Sequence, residues 1–507
     1  MKKIIALLMT LFVVVMLTVA IAFVVKNETP DNSYGDISAP ATDVSSSDAS
    51  DEGSSMPETS NEDSSSPEQS KDESKAESKD ESKNESKDES KDTSKDESKD
   101  ESKDESKDTS KDESKSETGS GGKKVISFLA CPDNIMHTST LHDALEKYAE
   151  KNGTTVKYSD LHNQGYDFDL MYKNVADLIK NADISFINVE TMIGGQSQAV
   201  SGSAAAGFNA PEANGEKLID LGFDIMNLAH NHMLDSADTT YLKYCDKFFK
   251  NRGVTPIGYY PNEEDIVIYE YEGVKIAFLT YTEHTNGYEK HSSDKTVIPY
   301  MSYSLMRRQI KLAKEKADLV FVVMHWGDED NETATNQQFK DNYYSNEDHV
   351  DFLLSQNVDL ILGMHSHVIE TCEWRTRADG KQTFITYSLG NFISGMNYGR
   401  NAPGALLTLD IVKDGDEVYI ENPLLIPTVT HFTQGEATTS RDTGYRNFQI
   451  YYLEDYSEAL AKEHGCHKKD DPKFSASNRF TYENIIKRFE KTIPEEFLPD
   501  YIVDLFG

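Results

Sequence analysis

Basic residues are scarce in this chain relative to acidic ones. Its 507 residues include 51 Lys and Arg against 88 Asp and Glu, which gives a formal net charge of -37. Binding to nucleic acid needs a basic face, so this composition excludes nucleic acid as a partner. A chain this acidic is expected to stay soluble and to be repelled by anionic polymers.

Cysteine is scarce as well. The four cysteines, Cys131, Cys245, Cys372 and Cys466, are widely separated and form no Cys-x-x-Cys pair. No disulfide framework is therefore indicated, although pairing stays open at this point. Cys131 lies far from the N-terminus and has no lipobox around it, so we expect a buried thiol there and no attached lipid.

Aromatic residues are missing altogether from residues 70–116, which are near-repeats of Ser-Lys-Asp-Glu with almost nothing apolar to bury. A segment of this composition cannot form a hydrophobic core. We therefore predict that residues 27–122 are a disordered, solvated tether. Because each repeat carries two acids against one lysine, the tether is expected to be expanded.

The N-terminus is the one long apolar segment. Lys2 and Lys3 precede an apolar run from Ile4 to Val25, which is long enough to cross a bilayer as a helix. We predict that residues 1–26 are an uncleaved, single-pass signal anchor with a cytoplasmic N-terminus. A cleaved signal peptide is the competing interpretation, with small residues at Thr18 to Ala22 for a peptidase. Either way, the bulk of the chain is expected to be extracellular.

The composition changes at once after Gly119-Ser120-Gly121-Gly122, and residues 123–430 alternate between helix-like and strand-like segments. This alternation predicts an α/β domain. The predicted helices include residues 141–152, 172–181, 212–221 and 236–252. The predicted strands include residues 155–158, 184–189, 223–228, 265–271, 274–281, 319–324, 360–362 and 383–387.

Two later segments, residues 404–412 and 418–426, alternate apolar and polar residues around the turn Asp414-Gly415-Asp416. They predict a more antiparallel edge of the sheet. Residues 431–507 are expected to form a C-terminal appendage of the same domain, with an amphipathic stretch over 482–491.

Polar motifs follow the apolar runs of the predicted sheet. In α/β sheets, ligands collect beyond the carboxyl ends of the strands, so residues at these positions are candidates for a site. The residues that stand there are Asp133, Glu190, Asn231, His232, His325, His365 and His367. Their oxygen and imidazole groups are of the kind that divalent metals use.

Each signal taken singly has an ordinary structural explanation. Asp133 is compatible with a helix cap or turn, Glu190 with a surface ion pair, and His325 with core packing beside Trp326. His365 and His367 are stronger, because alternate residues of an extended segment point the same way and offer two imidazoles together.

The combination of motifs resembles a known family. The motifs are Asp133-Asn134-x-x-His137, Asn188-Val189-Glu190, Asn231-His232 with Asp235, His325-Trp326-Gly327, Gly363-x-His365-x-His367, and Tyr387-Ser388-Leu389-Gly390-Asn391-Phe392. In this order they are similar to those of the CapA family of poly-γ-glutamate capsule biosynthesis proteins, related to calcineurin-like metallophosphoesterases. The resemblance covers about residues 123–430. It implies a four-layer α/β/β/α sandwich with a metal centre at one end.

The resemblance also implies roles for individual residues. It places two divalent metals, Mn, Zn or Fe, in two ligand sets: Asp133, Glu190 and His367 for one, and Glu190, Asn231, His325 and His365 for the other. Glu190 would bridge the two metals. His232 would be the general acid or a stabiliser of the transition state.

Four more residues, His137, Asp235, Ser388 and Asn391, are candidates either for binding a metal or for orienting its ligands. His137 is in doubt as a ligand, because the phosphoesterase pattern has only one residue between the Asp and the His. Pro132 also departs from the family, which usually has Gly before this Asp.

The resemblance implies a role in capsule biosynthesis, with metal-dependent hydrolysis as the favoured activity. The expected partners are a cell-surface polymer or its phosphorylated precursor, the membrane, and other capsule-synthesis membrane proteins. Two alternatives stay open: a non-enzymatic assembly or transport component for an anionic surface polymer, and a phosphoesterase of the 5′-nucleotidase type.

Overall fold

The computed structural model describes residues 123–330, 346–466 and 479–506. The predicted anchor (1–26) and tether (27–122) lie outside the described residues. Within the described ranges, no helix combines the length and the apolar character that a membrane span requires.

The strands are numbered in chain order. They are β1 (Lys124–Asn134), β2 (Ile184–Asn188), β3 (Ser201–Ser203), β4 (Gly207–Asn209), β5 (Ile225–Asn227), β6 (Thr255–Ile257), β7 (Val267–Tyr271), β8 (Val274–Thr282), β9 (Leu319–His325), β10 (Leu360–Met364), β11 (Cys372–Thr376), β12 (Gln382–Thr386), β13 (Asn391–Ile393), β14 (Pro403–Asp414), β15 (Glu417–Gln434) and β16 (Tyr445–Tyr452).

The α-helices are numbered in the same way. They are α1 (Thr138–Asn152), α2 (Asp169–Tyr172), α3 (Ala176–Asn181), α4 (Glu212–Asp220), α5 (Thr240–Lys250), α6 (Tyr303–Lys316), α7 (Asn346–Ser355), α8 (Glu458–Glu463), α9 (Tyr482–Thr492) and α10 (Asp500–Val503).

Two large sheets organise the domain. The first has eight strands in the order β16-β15-β14-β1-β2-β5-β6, with β13 also paired to β1. Strands β1, β2, β5 and β6 are parallel, while β14, β15 and β16 add an antiparallel region. The second sheet has the order β11-β12-β10-β9-β8-β7, with β8, β9, β10 and β12 parallel.

Aromatic rings join the two sheets. Phe128 of β1 lies edge-on to Phe321 of β9, with ring centroids 5.4 Å apart, and 6.3 Å from Phe278 of β8. All three rings are fully buried. The faces of the two sheets that carry these side chains are therefore packed against each other.

The second sheet is covered on its other face by helices α6 and α7. Strand β9 is buried along its whole length, as expected for a parallel strand with both faces covered. Its Phe321 and Val323 belong to the core shared with the first sheet, while Val320 and Val322 belong to a separate core with the two helices. This alternation follows from the two-residue period of a strand.

The α/β class is thus confirmed, but two local predictions are wrong. Residues 155–158 form no strand. Their alternation has no sheet neighbour to pair with, and Thr155 and Lys157 are exposed. The helix predicted over 172–181 is two short helices, α2 and α3, separated at Asn174, whose side chain donates to the carbonyl of Ile450 in β16.

The C-terminal part contributes more to the sheet than its polar sequence indicates. Strand β15 continues through residue 434, past the boundary expected at 430, and β16 pairs with it antiparallel. The edge of the first sheet is therefore built from residues of the expected appendage. Helix α9 occupies the predicted amphipathic stretch and is capped by Thr481, the residue before it, whose side chain accepts from the Asn484 N–H.

Candidate metal centre

The candidate residues converge at the carboxyl ends of parallel strands in both sheets. Asp133 and Glu190 stand at the ends of β1 and β2 in the first sheet, and Asn231 follows β5. His325 is the last residue of β9, and His365 directly follows β10, both in the second sheet. Because the sheets pack face to face, their strand ends form one polar centre.

Glu190 lies in the middle of this centre. Its Oε1 is 3.4 Å from Nε2 of His325 and 3.6 Å from Nε2 of His367. The residue is 0% exposed, and neither of its oxygens has a hydrogen-bond donor in the described part of the chain. A buried carboxylate without a donor is costly, so this position favours a bound cation.

Glu190 is shared by two groups that are compact enough to hold a metal ion. One group is Asp133, Glu190 and His367, and the other is Glu190, His325 and His365; the ligand atoms of each lie within 4.8 Å of one another. Asn231 adds an amide oxygen to the second group, 3.1 Å from Nε2 of His325. The structure thus brings together the residues of both expected ligand sets, with Glu190 between them.

The pKa values of the candidate ligands are shifted by burial and by their neighbours. Burial, and then the charge of Asp133, raises the pKa of Glu190 well above its usual value. Burial lowers the pKa values of His325 and His365 well below the usual value, so both imidazoles are neutral and keep a lone pair. At His367, burial lowers the pKa but the hydrogen bond and charge of Asp133 outweigh it, and the pKa is raised. Neutral imidazoles and carboxylates are the donors that transition metals take, so these residues fit a divalent metal, whose binding would displace the protons that Glu190 and His367 favour without it.

The turn that carries His365 and His367 differs from the predicted geometry. Strand β10 ends at Met364, and both histidines have left-handed backbones, with φ of 95° and 57°. The prediction that they share one face of an extended segment is therefore wrong, because a left-handed turn brings them together. Non-glycine residues rarely adopt such angles, and strained backbone is concentrated at functional sites.

A bulge in β1 presents Asp133. The register of β1 against β2 skips from Cys131 to Asp133, so Pro132 has no partner residue. Proline has no N–H to donate to the ladder, and such a bulge redirects the next side chain. The departure from the family pattern at Pro132 is thereby accommodated in the sheet.

Two buried amides that sequence reasoning did not assign to the site hold Asp133 in place. Asn188 Nδ2 donates to Asp133 Oδ1 over 2.7 Å, and Asn227 Nδ2 donates to Asn188 Oδ1 over 2.8 Å. The hydroxyl of Thr280 in the second sheet donates to Asn227 Oδ1 over 2.7 Å. This relay joins the two sheets directly behind the centre. Two asparagines that end neighbouring apolar runs are the only sequence signal for it.

His232 is held beside the centre. Its Nδ1 is 2.8 Å from Oδ2 of Asp235, which also accepts the backbone N–H of Phe208 over 2.6 Å. The ring stands edge-on to Phe208, with centroids 4.6 Å apart. Asp235 therefore orients His232, and this pair is the arrangement expected of an oriented acid or base.

The three other candidates lie near the centre in different roles. Asn391 Oδ1 is 3.2 Å from His367 Nδ1, and its Nδ2 donates to the His367 carbonyl, so it can orient that histidine. Ser388 Oγ accepts the Gly390 N–H, which is ordinary turn chemistry. His137 Nδ1 accepts the Gly395 N–H. His137 belongs to none of the metal-sized groups of His, Cys, Asp and Glu side chains found within the described ranges.

Glu329 is a further candidate that the sequence did not single out. With His365 and His367 it forms a third metal-sized group, although its own side chain is exposed. It follows β9 by four residues, so its position after an apolar run is the signal that was available.

Solved structures similar to the chain include two nucleotidases. The NAD nucleotidase of Haemophilus influenzae has a TM-score of 0.35 and 10% identity, over 75% of this chain and 59% of that chain. The 5′-nucleotidase precursor of Thermus thermophilus has a TM-score of 0.34 and 11% identity, over 60% of this chain and 55% of that chain. At these values the similarity bears on neither activity nor substrate.

Sequence relatives are more informative. The capsule biosynthesis protein CapA of Bacillus anthracis is 27% identical over 272 residues, 52% of this chain and 62% of that protein. The PGA biosynthesis protein CapA of Bacillus subtilis (strain 168) is 28% identical over 218 residues, 42% of this chain and 53% of that protein. The chain thus spans between half and two thirds of the length of these curated relatives. The bacterial capsule synthesis protein family PGA_cap matches residues 129–396, more than half of the chain, so the chain belongs to that family.

Proposed function

We propose that this chain is a metal-dependent hydrolase or transferase of capsule biosynthesis that acts on a cell-surface polymer or its phosphorylated precursor. Family membership and the printed names of the two relatives support the capsule role. The observation that carries the metal-dependent activity is the position of Glu190. It is a fully buried carboxylate, shared by two groups of ligands, and no residue that the structure describes donates a hydrogen bond to it.

In this proposal the two groups hold two divalent metals, of the Mn, Zn or Fe type. Such metals would polarise a phosphoryl or acyl oxygen and lower the pKa of water. Asp133, Glu190, His325, His365 and His367 supply the charge and the lone pairs that hold them. Buried, neutral His325 and His365 bind without first releasing a proton.

His232 acts on the leaving group in this proposal. Asp235 accepts from Nδ1 and fixes the orientation of the ring, so Nε2 of His232 is the atom that would deliver a proton to a leaving oxygen. The ring is 7% exposed and therefore within reach of a molecule entering the centre.

The fold and location belong to the same proposal. We infer a four-layer α/β/β/α sandwich of the metallophosphoesterase type, supported by the two facing sheets and by α6 and α7 on the outer face of the second. We also infer that residues 1–26 anchor the chain and that the tether places the domain outside the membrane. Labelling of the two termini in intact cells tests the location.

Metal analysis of the full-length chain, purified in detergent, tests the centre. We expect about two Mn, Zn or Fe ions per wild-type chain, and a loss of at least one in Asp133→Ala and in His365→Ala. His291→Ala, which changes an exposed histidine, is the matched control and retains the metals. A wild-type chain without metal under replete conditions contradicts the proposal.

A capsule-deletion strain separates catalysis from assembly. We expect the wild-type gene to restore the capsule and the His365→Ala gene to fail. Full restoration by the His365→Ala variant would instead favour a non-enzymatic assembly component. Turnover of simple nucleotides by the purified chain would favour the 5′-nucleotidase type.

A further inference from the structure

His137 is a half-buried histidine whose role the metal centre leaves unexplained. It directly precedes α1, and its Nδ1 accepts the backbone N–H of Gly395 over 3.1 Å. An imidazole nitrogen that accepts a hydrogen bond carries no proton. The neutral ring therefore has its proton on Nε2, and Nε2–H is a donor. Among the described residues no hydrogen bond to Nε2 is found, and the backbone carbonyl of Ile135 is the other polar group beside the ring.

Two close backbone contacts hold His137 in this position. A Cβ on Gly395 would lie 2.8 Å from Cβ of His137, and a Cβ on Gly202 would lie 2.4 Å from its carbonyl carbon. Both distances are shorter than real Cβ contacts, so the chain needs glycine on either side of His137. A side chain packed this closely loses few alternative conformations when it binds a ligand.

The ring of His137 forms one wall of the site together with Phe208 and His232. Phe208 stands edge-on to both imidazoles, with centroid distances of 5.3 Å to His137 and 4.6 Å to His232. Burial, and then the nearby charges of His367 and His232, lowers the pKa of His137 to about 3. The neutral form of the ring is therefore favoured.

Metal binding is a poor fit for this histidine. Its Nδ1 lone pair is used by Gly395, its Nε2 carries the proton, and it lies outside every metal-sized group of the described ranges. A neutral N–H donor suits an anion, because hydrogen bonds to charged acceptors are stronger than neutral ones. It also adds no positive charge that would repel metals.

We propose that His137 is a substrate-binding residue, whose Nε2–H donates to an anionic oxygen of a phosphoryl or carboxylate group bound beside the metal centre. This inference rests on the proposed function for the presence of the metals. It adds that the substrate carries an anionic oxygen, which binds on the side of the site lined by Phe208. His137 then binds this oxygen while His232 protonates the leaving group.

The test uses full-length protein in detergent, loaded with metal, and titrates inorganic phosphate and glutarate by calorimetry. His137→Phe and His137→Leu remove the donor, while His137→Gln retains one. We expect the first two variants to keep the wild-type metal content and to bind the anion roughly 10- to 100-fold more weakly. His137→Gln should recover part of the affinity, and exposed His291→Leu should match the wild type.

The two probes identify the anion, since weakening with phosphate alone indicates a phosphoryl group and weakening with glutarate alone a carboxylate. Loss of metal in His137→Leu would overturn the inference, because His137 would then be a ligand. Unchanged affinity for both anions, or a metal-loaded wild type that binds neither, would overturn it as well. A wild type without metal overturns the proposed function too, so the metal assay separates the two failures.

Discussion

The side-chain amide of Asn188 donates to Oδ1 of Asp133 over 2.7 Å, and both residues are fully buried. This bond leaves Oδ2 of Asp133 for the centre, where it lies 3.2 Å from Nδ1 of His367. Asn188 in turn accepts from Asn227, which accepts from Thr280 across the sheet interface. The position of one candidate metal ligand is thus tied to the packing of the two sheets.

Asn188→Ala is expected to remove the donor that holds Oδ1 of Asp133 and the acceptor of one N–H of the Asn227 amide. Leaving buried polar groups unpaired costs about 1–3 kcal/mol of stability. Residues that orient ligands change metal affinity by roughly 10- to 100-fold. Chemical denaturation and metal titration measure the two effects. Thr280→Val removes only the last hydrogen bond of the relay and should lower stability and metal affinity less than Asn188→Ala does. Equal losses in the two variants would contradict the relay.

Glu190→Gln is expected to stabilise the metal-free protein at neutral pH while abolishing metal binding. Because the folded-state pKa of Glu190 is raised, its contribution to stability is complete below about pH 4.3 and is lost as pH rises through the folded value. Glutamine does not ionise and keeps that stability. In EDTA, the melting temperature of the variant should exceed that of the wild type by an amount that grows as the pH rises from about 5 to 8.

The control for this experiment is Glu150→Gln, since Glu150 is exposed. It should melt like the wild type at every pH. His325 and His365 act in the acid direction, because their lowered pKa values make the metal-free fold lose stability as pH falls below about 6.5. The wild type, Glu190→Gln and Glu150→Gln share that loss. A difference in melting temperature between Glu190→Gln and the wild type that stays constant across the pH range would contradict the assignment to Glu190.

Gly363→Ala is expected to disrupt the turn before His365. An added Cβ would lie 1.9 Å from the carbonyl oxygen of Tyr387, so the two parallel strands β10 and β12 would have to separate. We expect insoluble protein or a loss of several kcal/mol. Gly253→Ala is the matched control. There the new Cβ meets nothing within 4 Å, and φ of +81° alone costs about 1–2 kcal/mol.

Asp235→Asn is expected to slow catalysis without releasing metal. The variant can no longer place a carboxylate against Nδ1 of His232, so the ring loses the acceptor that orients it. Turnover of p-nitrophenyl phosphate by the metal-loaded chain should fall roughly 10- to 100-fold. The Asp220→Asn variant changes an exposed residue and should turn over the substrate at the wild-type rate. A fall in turnover in both variants would indicate a nonspecific effect.

Local patterns predicted most of the elements, and the failures have specific causes. Helix α5 lies inside the helix predicted over 236–252, and Leu242, Cys245 and Phe249, which recur on one of its faces, are buried. Residues 155–158 alternate like a strand, but no described strand pairs with them, since alternation alone does not supply a pairing partner. Strand β16 was missed because most of its residues are polar or aromatic, and its pairing to β15 supplies the order.

The candidate site was predictable to the same degree. A polar residue after an apolar run is visible locally, which is why Asp133, Glu190 and His325 were chosen. The predicted geometry of His365 and His367 was wrong, because both residues have positive φ angles that no local pattern indicated. Whether these residues bind metal stays a prediction.

The sequence by itself determined the α/β alternation and the family, because hydrophobic periodicity and motif order are properties of neighbouring residues. Only the tertiary structure decided which strand ends meet. Asp133 and Glu190 belong to one sheet, and His325 and His365 to the other, so their convergence depends on how the sheets pack. The same packing puts Glu190 between two groups and joins Thr280 to Asn227. Such contacts link residues far apart in the chain, and no local pattern encodes them.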